Sequence, residues 1–397
     1  MIIPERPSLE RRVLTVLEGS GGIPARIPVV LGGCGAGRTS LLLRLRDLIG
    51  RASCQYIDVE RVATTPERFF SSIREYASLP SAHAAALPAE AGARQAFDAT
   101  LALLDTARAS GGGPATFLLD EFLELRTFES FPGLRTVLRD FIGALATSGN
   151  RFVLASRYPA RALRLFREAP STFEIIHVTP LTTAEIRSTL PSAVDGAGAP
   201  NAIREAEAER AHDELARLVH ALSDGRPAYA RLIADTSATL DPNGADAVSA
   251  LSALLAQDGA LDRRCRFSYE LRLHRARGYG ALKAILSVLS EEEPLTLTEI
   301  ALRLGRTPGS TKDYLSWLED VDLIVSRQKR YSFADPLLRL WVRLHGHPVP
   351  PTDEDLAREV HAYVMTRLPG TEPALVMAGG PGGAGAREKN WGIIEID

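Results

Sequence analysis

Lysine is nearly absent from this chain. Its basic residues are almost all arginine, and the only lysines are Lys283, Lys312, Lys329 and Lys389. Such a bias fits a genome that favours arginine codons. Cysteine is scarce too, with Cys34, Cys54 and Cys265 only. No two of them stand at metal or redox spacing, which excludes a disulfide framework and fits a reducing, cytoplasmic setting. The eight histidines form no HExxH-type cluster. His345 and His347 are near neighbours, but they sit on a proline-rich exit segment and are expected at the surface. No uninterrupted apolar run is long enough to span a bilayer, and Met1-Ile2-Ile3-Pro4-Glu5-Arg6 is no signal peptide. No membrane partner is therefore expected. A net charge of −3 excludes a global polyelectrolyte attraction to nucleic acid.

Against these absences stands one dense stretch, Leu31-Gly32-Gly33-Cys34-Gly35-Ala36-Gly37-Arg38-Thr39-Ser40. An apolar run, Ile27 to Leu31, precedes it, and a run with helical character, Ser40 to Leu45, follows it. Strand, glycine-rich loop and helix form the setting of a phosphate-binding loop. Gly32, Gly33, Gly35 and Gly37 leave room for backbone amides to face phosphates, Cys34 and Ala36 adding amides of their own. The helix start adds its positive end. Thr39 is expected to offer its hydroxyl to Mg²⁺, with Ser40 beside it. The cation is Arg38, where the pattern has lysine. A planar guanidinium is no simple replacement for a compact ammonium, so hydrolysis is put in question more than binding. A mere flexible turn is the alternative reading of the glycines.

A second run, Thr116-Phe117-Leu118-Leu119-Asp120-Glu121, has the form of a Walker B strand. Asp120 is expected to organise Mg²⁺ through water, and Glu121 to orient or deprotonate the attacking water. Further along, Arg151 to Arg157 reads as a strand ending in Ser-Arg. In P-loop ATPases of the additional-strand type, such a strand lies between the two Walker elements. Ser156 is then the candidate sensor of the terminal phosphate, and Arg157 a candidate for stabilising transition-state charge. An ordinary strand exit remains open as the alternative.

Strands and helices alternate from about residue 26 to 190, which predicts a parallel sheet with helices on both faces, an α/β P-loop fold. The nucleotide belongs at the carboxyl ends of its strands. From about 200 the strands stop, and helices are expected over Ala202 to Leu222, Ala228 to Thr239, Ala245 to Gln257 and Leu261 to Arg277. The last carries Arg263, Arg264, Arg266, Arg272, Arg275 and Arg277. It reads as a solvated face or as a contact for nucleic-acid phosphates.

The order of Walker A, Walker B, a strand ending in Ser-Arg, and Gly225-Arg226-Pro227 opening a helix resembles the STAND branch of the AAA+ ATPases. Within that branch it is most similar to the archaeal-type ATPases with a C-terminal winged helix. The likeness covers about residues 1 to 345. It implies that Pro227 contacts the nucleotide base and couples it to the helical domain. It also implies ATP or ADP with Mg²⁺ as cofactors.

Residues 279 to 346 read as a winged helix: helices over Ala281 to Leu289, Thr298 to Leu304 and from Thr307, then a hairpin around Arg327-Gln328-Lys329-Arg330. Phe333-Ala334-Asp335-Pro336 resembles the segment that closes the winged helix in the archaeal ATPases. The third helix offers Ser310, Thr311 and Lys312 but also Asp313, Glu319, Asp320 and Asp322. DNA contact is therefore assigned to Arg327, Lys329 and Arg330 of the wing, with protein contact as the alternative.

The expected organisation is a nucleotide-binding domain (1–195), a helical lid (196–278), a winged helix (279–346) and a tail (347–397). That tail carries a helix from Glu354 to Arg367, a glycine-rich linker at 379–385 and a β-prone run at 391–396. The leading expectation is an ATP-binding, slowly hydrolysing switch that repositions the winged helix. The alternatives are a nucleotide-bound DNA-binding regulator that has lost hydrolysis, and a protein-interaction scaffold that uses self-association or the tail.

Overall fold

The computed structural model describes residues 6–368 apart from 20, 21, 23, 77–86, 88, 89, 191–201, 241–245, 275–277 and 348, with backbone alone at 202–205. Most of the Ala- and Pro-rich stretch at 80–92, Arg275 and Arg277, the glycine-rich linker and the run at 391–396 lie outside the described residues.

Helix α1 (Pro7–Glu18) leads into strand β1 (Ile27–Leu31), and the phosphate loop joins β1 to α2 (Arg38–Ile49). Then come β2 (Cys54–Asp58), α3 (Val59–Val62), α4 (Pro66–Tyr76), α5 (Ala93–Thr106) and β3 (Thr116–Asp120). After α6 (Val137–Thr147), β4 (Arg151–Ser156), α7 (Pro159–Phe166), β5 (Phe173–His177) and α8 (Thr183–Thr189) complete the α/β layer. All strand pairs are parallel, in the order β2-β3-β4-β1-β5. Thus β4 lies between the strand that feeds the phosphate loop and the strand that ends in Asp120.

The period of two along each strand divides the core. Val30, Leu118, Val153, Ala155 and Ile176 face α1 and α2 through Leu9, Val13, Leu41, Leu42 and Leu45. Their neighbours Val29, Leu31, Phe117, Leu119, Phe152 and Leu154 face the opposite layer, which holds Phe69, Phe97, Phe128 and Phe141. Phe117 and Phe152 stack across β3 and β4 with centroids 5.7 Å apart. Each such ring, fully buried, stabilises the layer by about 1.5–3 kcal/mol. The strands are buried on both faces, so their sequences read as continuous apolar runs rather than alternating ones.

Among the elements not anticipated are a 3₁₀ helix over Phe122–Ser130 and the helices α3 and α7. The first follows Glu121 directly, whose left-handed backbone (φ 54°) turns the chain out of β3. No capping side chain marks its start, so the sequence gives no boundary signal there.

Four helices follow: α9 (Ala202–Ser223), α10 (Pro227–Leu240), α11 (Ala247–Leu255) and α12 (Ala260–His274). The last unit comprises α13 (Tyr279–Glu291), β6 (Leu295–Thr296), α14 (Leu297–Arg303), α15 (Pro308–Asp320), β7 (Ile324–Arg327) and β8 (Arg330–Phe333), with an antiparallel sheet ordered β6-β8-β7. Helices α16 (Pro336–His345) and α17 (Asp353–Arg367) close the chain. Helix α17 folds back, and the Tyr363 hydroxyl donates to the Leu222 carbonyl at 3.0 Å. Among the described residues no helix is long and apolar enough to cross a membrane.

Three expectations are corrected here. Helix α12 is not simply a solvated arginine face, because Arg272 is buried. His345 is not a surface residue: its ring stacks on Trp341 and its Nε2 lies 2.9 Å from the Leu255 carbonyl. Thr311 is fully buried, with its hydroxyl on the Thr307 carbonyl, and presents nothing outward.

Candidate functional site

The loop between β1 and α2 is bent by glycine. Gly35 and Gly37 adopt φ 78° and 90°, and Gly37 is the residue on which α2 begins. These are conformations that a side chain resists. Arg38 is therefore the first residue of the helix, and its side chain is buried. The guanidinium folds back over its own loop, donating to the carbonyls of Gly32 and Gly33. Its other nitrogen donates to Glu121 at 2.8 Å. A lysine ammonium has no planar fork with which to hold carbonyls and a carboxylate at once.

The two acids at the end of β3 have separate surroundings. Asp120 accepts the Thr39 hydroxyl at 2.6 Å and the Tyr56 hydroxyl at 3.0 Å. Burial is the main cause that raises its carboxyl above the ordinary range. Glu121 is swung the other way by its left-handed backbone. It takes the Arg157 amide at 3.0 Å and the Arg157 side chain at 3.2 Å. Burial works to raise the Glu121 carboxyl, but Arg38 and then Arg157 outweigh it and hold it below the ordinary range. Arg157 also pairs with Glu60 and lies over the Tyr158 ring. Ser156 is fully buried beside the loop: its carbonyl accepts the Gly32 amide at 3.4 Å, and its hydroxyl accepts the Tyr158 amide at 3.1 Å.

The start of α10 closes against the same loop. Gly225 (φ 62°) is pressed on the Leu181 carbonyl, where a Cβ would stand 2.6 Å from that oxygen. The turn then delivers Arg226, Pro227 and Ala228 to the phosphate loop. Pro227 Cγ lies 3.3 Å from where a Cβ on Gly37 would be, and Ala228 Cβ equally close to that point on Gly35. Pro227 also lines a narrow cavity with Arg6, Glu10, Gly37, Ser40, Leu41 and Arg44. Arg226 donates to the Cys34 carbonyl at 3.1 Å and to the Ala334 carbonyl at 2.5 Å, and lies 3.6 Å from Asp335. Asp335 also receives the Tyr229 hydroxyl at 2.6 Å and caps α16 at the amides of Leu337 and Leu338. One arginine thus touches both the phosphate loop and the C-terminal unit.

From α12, Ser268 lies 3.7 Å from the Cys34 sulfur. Burial opposes ionisation of that thiol, but Arg272, the Ser268 contact and Arg264 together draw it below its ordinary value.

The structure therefore brings together the loop 32–40, Asp120, Glu121, Ser156, Arg157 and Pro227. Arg327, Lys329 and Arg330 are exposed on a separate turn of the hairpin, where Gln328 and Lys329 take positive φ of 52° and 63°. Sequence reading missed Tyr56, Arg226, Arg272 and Asp322 near the loop. Arg226 had a signal, since it lies inside the Gly-Arg-Pro already singled out; Tyr56 and Asp322 had none.

The donor set can be weighed against a metal. Thr39 and Asp120 supply hard oxygen atoms in mutual contact, which suits Mg²⁺ shared with phosphates and water. Among the described residues no group of three or more His, Cys, Asp or Glu stands ready to hold an ion by itself.

Architecture and loop define the α/β fold of P-loop ATPases. No family model and no curated protein matches the chain. Among solved structures, the Walker-type ATPase PABY2304 of Pyrococcus abyssi aligns with a TM-score of 0.60 at 16% identity, over 86% of this chain and 96% of that one. Two others align with lower scores. A Pyrococcus horikoshii STAND protein with a tetratricopeptide repeat sensor has TM-score 0.32, 18% identity and coverage of 90% and 44%. The Aeropyrum pernix Orc1 protein in complex with DNA has TM-score 0.43, 18% identity and coverage of 92% and 95%. At these identities the likeness is one of fold.

Proposed function

We propose that this chain binds ATP and ADP with Mg²⁺ at the loop Gly32–Ser40, and that the bound nucleotide sets the position of a C-terminal winged helix. The observation that carries the reading is Arg226. It donates at once to the phosphate loop and to Ala334, and it neighbours Asp335, so a change at the loop bears on the C-terminal unit through one side chain. In this reading residues 1–195 hold the nucleotide, 196–278 form the lid, 279–346 the winged helix and 347–397 the tail.

The roles follow from placement. The amides of residues 32–40 cradle phosphates at the helix start. Thr39 and Asp120 hold Mg²⁺, which when bound neutralises charge developing between the outer phosphates. Glu121 orients the water, Ser156 senses the terminal phosphate from the strand between the Walker elements, and Arg157 meets developing charge. Pro227 touches the base. Hydrolysis is slow, because Glu121 is bound by Arg38 and Arg157 and is a weak base while they hold it.

Calorimetric titration of ATP and ADP with Mg²⁺, with phosphate release followed on the same sample, tests this. Binding with slow release is expected. Absence of binding refutes the site.

A second reading keeps the nucleotide but makes the output DNA binding without turnover. The exposed Arg327, Lys329 and Arg330 favour it. Replacing all three by alanine then lowers affinity for duplex DNA and flattens its salt dependence by up to about three counterions. Unchanged binding at every salt concentration would remove the wing from that role.

A further inference from the structure

Asp322 lies far from the loop in sequence and beside it in space. It is the turn residue between α15 and β7, held at φ 56°. Its Oδ2 stands 2.7 Å from the point that a Cβ on Gly33 would occupy, and Arg226 Nη1 stands 3.3 Å from the same point. Arg272, buried in α12, donates to the Asp322 carbonyl at 2.7 Å and fixes the turn there. The cations that act on the carboxyl are Arg272, Arg226 and Arg38.

The loop has two distinguishable ends. At the helix end, Gly37 and Ser40 line a narrow cavity with Arg6, Glu10 and Pro227, the residue that touches the base in the reading above. At the other end, Gly32 and Gly33 hold the Arg38 guanidinium, which reaches Glu121. In a phosphate loop, the cation that follows the last glycine serves the outer phosphates. A nucleotide laid along this loop from the base end therefore brings its outermost phosphate toward Arg38 and Gly33. That is where Asp322 already stands. A carboxylate and a phosphate are both anions seeking the same donors, and two like charges in one enclosed space repel strongly.

We propose that Asp322 is a tethered anion standing in for the terminal phosphate, so that the closed chain accepts a nucleoside diphosphate and admits a triphosphate only when the C-terminal unit leaves the loop. This rests on the nucleotide-binding reading above. It adds the residue by which the chain tells the two nucleotides apart. The carboxyl is held at a cost: burial pushes it up to about 6 despite the surrounding arginines. A contact of that kind is displaced readily by a better anion.

Two variants of the full chain test it. Asp322→Gly removes the carboxyl and suits the left-handed backbone. Asp322→Asn keeps the bulk, also tolerates that backbone and drops the charge. ADP and a non-hydrolysed ATP analogue are titrated with Mg²⁺ into each. Asp322→Gly is expected to tighten the triphosphate analogue at least tenfold and to leave ADP within threefold, with Asp322→Asn falling between it and the native chain. In the native chain, hydrogen exchange at amides 318–325 is expected to speed up with the triphosphate analogue and not with ADP. An unchanged triphosphate-to-diphosphate ratio in both variants, with ADP still bound, overturns this inference and leaves the nucleotide site standing. If neither the native chain nor either variant binds any nucleotide, the proposed function falls and this inference falls with it.

Discussion

Arg38 and Glu121 are joined at 2.8 Å, so the cation of the phosphate loop and the second acid of β3 neutralise one another. Both side chains are buried, and Arg157 approaches the same carboxylate at 3.2 Å. The pairing decides what each residue is free to do. Arg38→Lys cannot keep the bond to Glu121 together with those to two loop carbonyls. It should free the carboxylate and raise phosphate release about tenfold, roughly 1.4 kcal/mol in barrier. A fall in turnover would show that the arginine is adapted to the reaction. In Glu121→Gln, release should drop at least a hundredfold while nucleotide affinity stays within about threefold. Single-turnover phosphate release separates these outcomes from changes in binding.

The Thr39 and Asp120 contact at 2.6 Å predicts a metal-dependent defect. Thr39→Ala and Asp120→Ala should each lower the affinity for ATP at least tenfold in the presence of Mg²⁺. The same variants should lose less when EDTA replaces the metal. Titration with and without Mg²⁺ reads the difference, and an equal loss in both conditions would take these residues out of metal binding.

These expectations are legible in the amino-acid sequence because the loop chemistry is local. Gly32 to Thr39 must be contiguous to wrap phosphate, and Asp120 and Glu121 end an apolar run that, downstream of such a loop, reads as a buried strand. Contacts across long sequence separation were not available in this way. Asp322 reads as one more acid on an acidic helix, and nothing in its neighbours says that it meets Gly33. Arg272 reads as one of six arginines in the run Leu261 to Arg277, yet it alone among the described ones is buried. Helical spacing gives the face of a helix but not which other element covers it. The stack of His345 on Trp341 was missed for the same reason, since the proline-rich segment after it suggested an exit to solvent.

Thiol chemistry gives a cheap view of the loop. Cys34 is drawn below the ordinary thiol value, whereas burial pushes Cys54 up to about 12 and raises Cys265 as well. Alkylation of the native chain near neutral pH should therefore add one label, at Cys34, with ADP slowing the reaction. Peptide mass mapping checks the site. Labelling of Cys54 or Cys265 first would contradict the loop geometry, and labelling of Cys34 at the same rate with saturating ADP would place the nucleotide elsewhere.

Asp335 ties α10 and the turn before it to α16, through Tyr229, Arg226 and the first amides of α16. Its removal leaves buried partners unsatisfied. Asp335→Ala should destabilise the chain by about 3–5 kcal/mol, and Tyr229→Phe by about 1–3 kcal/mol. Because the two share one bond, the double variant should lose less than the sum. Denaturant unfolding of the single and double variants measures this coupling, and strict additivity would mean that the 2.6 Å contact contributes nothing.

The pH dependence of the closed arrangement follows from Asp322, whose carboxyl burial raises from 3.8 to about 6. Arg272, Arg226 and Arg38 pull it down and Asp335 pushes it up, but burial prevails. The closed form therefore binds a proton more tightly than the open form does, and closure is linked to proton uptake. Closure is strongest below about pH 4, weakens as the pH rises through about 6, and is level above that. The difference is at most on the order of 3 kcal/mol. Hydrogen exchange at amides 318–325, corrected for intrinsic rate, should accordingly show stronger protection at pH 5 than at pH 7.5. In Asp322→Asn, which cannot ionise, that difference should disappear. If the native chain is protected equally at both values, Asp322 does not change charge in the closed form, and its contact with the phosphate loop has one strength throughout that range.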